Sequence, residues 1–153
     1  MAQLNGQDLR GFIKERQAKQ VRQLKQQYKL QPKLAIISAC DNPTITTYVN
    51  LKKKYGSDIG IDVDYYAVMQ QDLAATIDSL NKDNSVTGII VQLPLQDKSQ
   101  TNEIIALVDK FKDVDGLSSD PIYDAATPMA IIWLLAGYGI DLKGKKLCII
   151  GYG

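Results

Sequence analysis

Residues 86–95, VTGIIVQLPL, constrain the fold of this chain more than any other stretch. Their core, from Gly88 to Val91, is a short apolar, β-branched run of the kind carried by a strand buried on both faces, and it stops abruptly at Gln92, Leu93 and Pro94. The reading is a central strand of a parallel sheet. In open α/β sheets ligands bind beyond the carboxyl ends of the strands, and a proline there ends the ladder because it has no N–H to donate. Gln92, at that end, is the first candidate site residue.

A chain of 153 residues can bury the core of one ordinary domain, and its 45% hydrophobic and 23% charged residues are those of a soluble globular protein. The formal net charge of +1 gives no bulk attraction for nucleic acid or an acidic membrane. With no histidine and only Cys40 and Cys148, no zinc or iron–sulfur ligand set can be assembled, so no metal site and no disulfide framework are expected. No run approaches the roughly 20 apolar residues of a membrane span, and no signal-type segment opens the chain. The expected setting is the cytoplasm.

Residues 7–29 place Leu9, Phe12, Ile13, Val21, Leu24 and Tyr28 at helical spacing, with one stripe expected to face a core. The opposite face is basic, from Arg10 to Lys25. A nucleic-acid or anionic-lipid surface and a solvated face both fit it; the second is favoured, because no aromatic residues interleave with the cations. A buried strand is expected over 34–40, then turn and N-cap chemistry at 41–44, then a helix through Tyr48, Lys52 and Tyr55 until Gly56 interrupts it. A strand at 61–68, a helix at 71–81, the 88–91 strand and a helix at 101–110 follow. Thr127 as cap and Pro128 in the first turn open a long apolar helix. A last buried-type strand, 147–150, runs into Gly151, Tyr152 and Gly153. This alternation calls for right-handed crossovers and a three-layer α/β domain built on a mainly parallel sheet.

Tyr48 and Lys52 are four residues apart and share a helix face just past the end of a buried strand, within reach of the cleft at Gln92. A lysine desolvated there holds its proton less tightly and becomes an acid or base near neutral pH, a glutamine carbonyl can orient it, and a tyrosine face can stack a ring. Lys52 also opens the run Lys52, Lys53, Lys54, which equally fits a solvated face. Asp113 and Asp115, in KDVDG at 112–116, fit ordinary turn acids as well as a site.

YVNLK at 48–52, VQLPL at 91–95, KDVDG at 112–116 and TP at 127–128 occur in the order and approximate spacing of one family. The chain resembles the N-terminal part of the bifunctional methylenetetrahydrofolate dehydrogenase/methenyltetrahydrofolate cyclohydrolases over nearly its whole length. The resemblance implies that Lys52 is catalytic, that Gln92 positions and tunes it, and that Tyr48 lies beside the folate. It also implies that Asp115 holds the pterin ring, with Leu93 and Pro94 of the same motif as Gln92 at the substrate. The reactions implied are hydride transfer from the methylene bridge to NADP, or to NAD in some members, and hydrolysis of the methenyl cation to a formyl group. The partners implied are tetrahydrofolate derivatives, with a homodimer for the intact enzyme.

The chain departs from the family pattern at three places. Ile45 stands where a small hydroxyl residue is usual, Ala126 follows a short loop where a cysteine is usual, and Gly151, Tyr152 and Gly153 replace the usual glycine, arginine, serine turn. The last departure leaves NAD open. Residues 1–144 are expected to form the folate-binding catalytic domain, and 145–153 the truncated start of a Rossmann-type domain with Gly151 and Gly153 as its cofactor-binding residues. On that expectation no cofactor binds this fragment and it does not transfer hydride alone. Two rival readings are a catalytically silent folate-binding or assembly module and an unrelated nucleotide-binding α/β domain.

Overall fold

The structure, a computed structural model, describes residues 4–151. Three short strands, β1 (Lys33–Ser38), β2 (Asp62–Ala67) and β3 (Gly88–Val91), form one parallel sheet in the order β2-β1-β3. The middle strand is therefore β1 and not 88–91: Ile36 lies opposite Tyr65 on one side and Ile90 on the other. The outer edge of β3 is nonetheless engaged. The Ile89 N–H donates to the Lys112 carbonyl at 2.7 Å, and Ile89 bridges in parallel to Asp113. A strand with both faces buried and both edges occupied carries the same residues as a central one.

Among the described residues there are five α-helices: α1 (Gly6–Tyr28), α2 (Pro43–Ile59), α3 (Leu73–Lys82), α4 (Thr101–Ala106) and α5 (Ala126–Gly137). Successive side chains of β1 alternate between two cores, as strand geometry requires. Ala35 and Ile37 join Leu73, Ile77 and Ile104 on the α3 and α4 side, while Ile36 meets Ile45, Val49 and Ile90 under α2. This is the three-layer α/β arrangement.

The first turn of α2 follows from its sequence. The Asn42 side chain accepts from the Thr44 N–H at 2.8 Å, and Pro43 occupies the start of the helix, where a missing N–H costs nothing. Gly56, expected to interrupt α2, lies inside it. The helix runs on to Ile59 and ends at Gly60, whose φ of 86° is the left-handed cap conformation. Gly56 serves close packing instead, because a Cβ there would run into Val63 Cγ2 of β2. The absent side chain lets α2 lie directly on the sheet.

Other elements differ from expectation for equally local reasons. Helix α4 ends at Ala106, short of 110. There the Asn81 side chain donates to the Leu107 carbonyl at 2.8 Å and accepts from the Asp109 N–H at 3.0 Å, drawing the chain out of the helix. Thr127 is inside α5; the cap position is Ala125, which makes no side-chain cap bond. Of the stripe expected on α1 only Val21 is buried, and Phe12 is 70% exposed, because α1 packs chiefly on α2 and α5.

Residues 145–150 form no strand. A strand exists through its partners, and among the described residues nothing pairs with this segment; Ile149 is 86% and Ile150 96% exposed. No described helix is long and apolar enough to cross a membrane. Cys40 and Cys148 are both free thiols.

Candidate active site

The carboxyl ends of β1 and β3 are tied together by the Gln92 N–H, which donates to the Ile37 carbonyl at 2.8 Å. That bond fixes the backbone from which the Gln92 side chain projects, and its amide group donates to the Leu93 carbonyl at 3.1 Å. The remaining amide oxygen, Oε1, accepts from Lys52 Nζ at 3.0 Å. Lys52 comes from the middle of α2, where Gly56 one turn further on brings the helix close to the sheet. The Leu93–Pro94 peptide is cis, Leu93 is half-buried against the α3-side core, and Pro94 is exposed.

The three lysines of the run occupy three different environments. Lys52 is half-buried on Gln92, Lys53 Nζ lies 5.1 Å from the centre of the Tyr65 ring, and Lys54 is exposed on the rim of the cleft. Burial pulls the Lys52 ammonium below its ordinary value and outweighs the opposing pull of Asp115. Asp115 mirrors it. Burial pushes this carboxyl up, the Lys52 charge pulls it down, the Asp113 charge pushes it up again, and the net direction is upward. The two groups thus approach each other in proton affinity, as an acid–base pair requires.

Tyr48, Lys52 and Asp115 line one cleft of about 650 Å³, a size that suits a small-molecule ligand. Its wall is completed by Leu51, Tyr55, Ile90, Val114 and Ala126, and its far end carries Arg10 and the Lys14–Asp58 ion pair. Tyr48 is 56% exposed and so keeps a ring face available for stacking. Gln92 acts on this cleft through Lys52, while Leu93 and Pro94 are not part of its wall. Ile45 is buried between α2 and the sheet, so it is a core residue with no access to the cleft. Sequence reasoning misses the wall residue Val114 and names Ala126 only as a departure from the family pattern. It leaves Asp113 between a turn acid and a site residue; in the structure its carboxylate accepts backbone N–H groups from the loop after it.

No described group of histidine, cysteine or acidic residues is arranged to hold a metal ion. Gly153 lies outside the described residues. Gly151, the last described residue, has a φ of 107° and nothing within 4 Å of where a Cβ would stand.

An α/β domain that desolvates a lysine against an amide at the end of a parallel sheet, with a carboxylate across a ligand-sized cleft, has the form of an acid–base enzyme site. A family model described as the catalytic domain of tetrahydrofolate dehydrogenase/cyclohydrolase matches residues 4–115, and the chain belongs to that family. The bifunctional protein FolD of Nitratiruptor sp. is 35% identical over 161 residues, covering 97% of this chain and 57% of that protein. The crystal structure of the bifunctional FolD enzyme from Campylobacter jejuni superposes with a TM-score of 0.85 at 35% identity, over 91% of this chain and 54% of that one. The Trypanosoma brucei FolD structure, solved with NADP and an inhibitor, shares the fold with a TM-score of 0.86 at 24% identity, over 94% of this chain and 54% of that one. The chain spans a little over half the length of these relatives.

Proposed function

We propose that this chain is the folate-binding catalytic part of a methylenetetrahydrofolate dehydrogenase/methenyltetrahydrofolate cyclohydrolase, with its domain boundary near residue 144. The observation that carries the reading is the Lys52 ammonium, half-buried, 3.0 Å from the Gln92 amide oxygen and facing Asp115 in one cleft. Family membership supplies the substrate class.

Hydrolysis of the methenyl bridge needs a water deprotonated as it attacks a cationic carbon and a proton delivered to the departing nitrogen. One amine can do both in turn. Lys52 in its neutral form takes the proton of the attacking water. The resulting ammonium, held by Gln92 Oε1, returns a proton to the nitrogen as the carbon–nitrogen bond breaks, while the hydroxyl of the adduct releases its proton to solvent and becomes the formyl oxygen. Gln92 prevents the amine from turning away between the two transfers. Asp115, ionised, accepts from the N–H donors of the pterin, and Tyr48 stacks on the folate. Leu93 and Pro94 belong to the turn that sets Gln92.

Hydride transfer belongs in this reading to the whole protein with NADP or NAD bound. No step of it is assigned to the described side chains. A homodimeric, cytoplasmic whole protein is part of the same proposal, and its support is family membership.

The test is hydrolysis of methenyltetrahydrofolate by this chain, followed by the loss of its absorbance above the uncatalysed rate. The base form of Lys52 grows as pH rises, and its proton affinity is lowered by burial. The rate is therefore expected to climb with pH along a limb centred below the ordinary lysine value of 10.5. Folate binding with no hydrolysis at any pH would instead identify a silent binding module.

A further inference from the structure

The mechanism leaves one buried charge unused. Asp113 is only 3% exposed, yet among the described residues it meets no cation across an ion pair. Its partners are backbone amides. Oδ1 accepts from Gly116 at 3.0 Å and, longer, from Leu117 at 3.5 Å, and Oδ2 accepts from Ser118 at 3.0 Å. We propose that Asp113 is the positioning residue of the site: its carboxylate ties the backbone of residues 116–118 and so fixes the loop that holds the Asp115 carboxylate in the cleft facing Lys52. This inference rests on the reading that Asp115 binds the pterin of a folate.

Both sides of the loop are anchored in ways that leave Asp113 as the fastener. Before it, the chain is attached to the sheet through Ile89, and Val114 packs so closely on β3 that a Cβ at Gly88 would lie 2.8 Å from Val114 Cγ1. After it, Gly116 has a φ of 63°, and a Cβ there would lie 2.5 Å from the Tyr123 carbonyl, just ahead of α5. Asp115 stands between these anchors. Without the carboxylate, the Ser118 N–H would have to find another acceptor and the Gly116 N–H would be left with only its longer bond to the Asp113 backbone carbonyl at 3.3 Å, so the turn that aims residue 115 would be less firmly closed.

The carboxylate is also kept ionised where it sits. Burial pushes it up, but the Ser118 amide and the nearby Ser118 hydroxyl, with the amides of Leu117 and Gly116, together outweigh burial and hold it below the usual carboxylate range. An ionised Asp113 in turn raises the proton affinity of Asp115. The charged groups acting on Asp115 are Lys52 from α2, which lowers it, and Asp113 from its own loop.

Asp113→Asn keeps one acceptor for Gly116 but sets an amide N–H₂ against the Ser118 N–H, and it removes the charge. Binding of 5-formyltetrahydrofolate, followed by calorimetry across pH, is the measurement, with Asp115→Asn alongside. Binding to the native chain is lost as pH falls through the titration of Asp115. In Asp113→Asn, affinity is expected to fall roughly 10- to 100-fold, and the acid limb should move to lower pH, because the charge that raised Asp115 is gone. A merely structural defect would reduce binding and leave the limb where it was, and that result overturns the proposal, as does native binding by Asp113→Asn beside a weakened Asp115→Asn. Native binding by Asp115→Asn overturns the reading of the site itself. Should Asp113→Asn not fold, the native chain still decides. The Gly116 and Ser118 amide proton shifts must follow a single carboxylate titrating below the ordinary aspartate range, and independent behaviour of the two contradicts the tie.

Discussion

Lys52→Met is expected to cut hydrolysis of methenyltetrahydrofolate by about 10²–10⁴-fold, the usual worth of a positioned acid–base group. Methionine keeps the length of the stem and its packing beside Gln92 while removing every proton the site can move. Folate binding should survive, since Tyr48 and Asp115 still line the cleft. It should survive with a changed pH dependence. The Lys52 charge lowers the proton affinity of Asp115, so its removal lets that carboxyl rise further, and binding will fail at a higher pH than in the native chain. Steady-state rates and a binding titration at several pH values check both statements. A variant that hydrolyses at the native rate would show that another group moves the proton.

Ile37→Ala should be the most damaging of the conservative core truncations. Ile37 is fully buried in the middle strand, lies opposite Tyr66 on β2 and Val91 on β3, and packs in the cluster that contains Leu73 and Ile77. Truncation there removes three carbons and leaves a cavity, at about 2–5 kcal/mol, against a total of about 5–15 kcal/mol for an ordinary domain. Urea unfolding should show a lower midpoint with an unchanged slope. The backbone carbonyl of Ile37, which receives the Gln92 N–H, is untouched, so the folded fraction should keep its affinity for folate. A loss of less than 0.5 kcal/mol would mean that the two cores are not packed as described.

The elements that the sequence displays plainly are those whose chemistry is local. The β-branched runs of β1 and β3 and the Asn42–Pro43 start of α2 needed no tertiary information. Strand order did: β3 reads as central because residues 112–114 cover its free edge, and nothing in GIIV distinguishes a covering loop from another strand. At Gly56, a glycine that ends a helix and one that lets a helix approach a sheet look alike until Val63 is in view. Residues 147–150 have the composition of a strand, but composition does not supply a partner.

The site divides in the same way. Gln92 is visible from its place at the end of an apolar run, and Tyr48 and Lys52 from their spacing, with the family resemblance selecting Lys52 from its run of three. The 3.0 Å contact between Lys52 and Gln92 joins residues forty apart, which spacing along the chain cannot express. The sequence leaves Asp113 between a turn acid and a site residue because its partners are backbone amides, and every residue in a turn has those. Its burial and its three converging N–H donors mark it only once the loop is folded.

The central claim is that the cleft desolvates the Lys52 amine and so makes it a usable base. The most direct measurement is the titration of its Nζ by heteronuclear NMR on the lysine side chains of the native chain, assigned with Lys52→Met. One lysine resonance, missing in the variant, is expected to titrate below 10.5 and below the other lysines, and to move lower still in Asp115→Asn, where the opposing negative charge is gone. A Lys52 that titrates with the solvent-exposed lysines, unaffected by Asp115→Asn, would contradict the account.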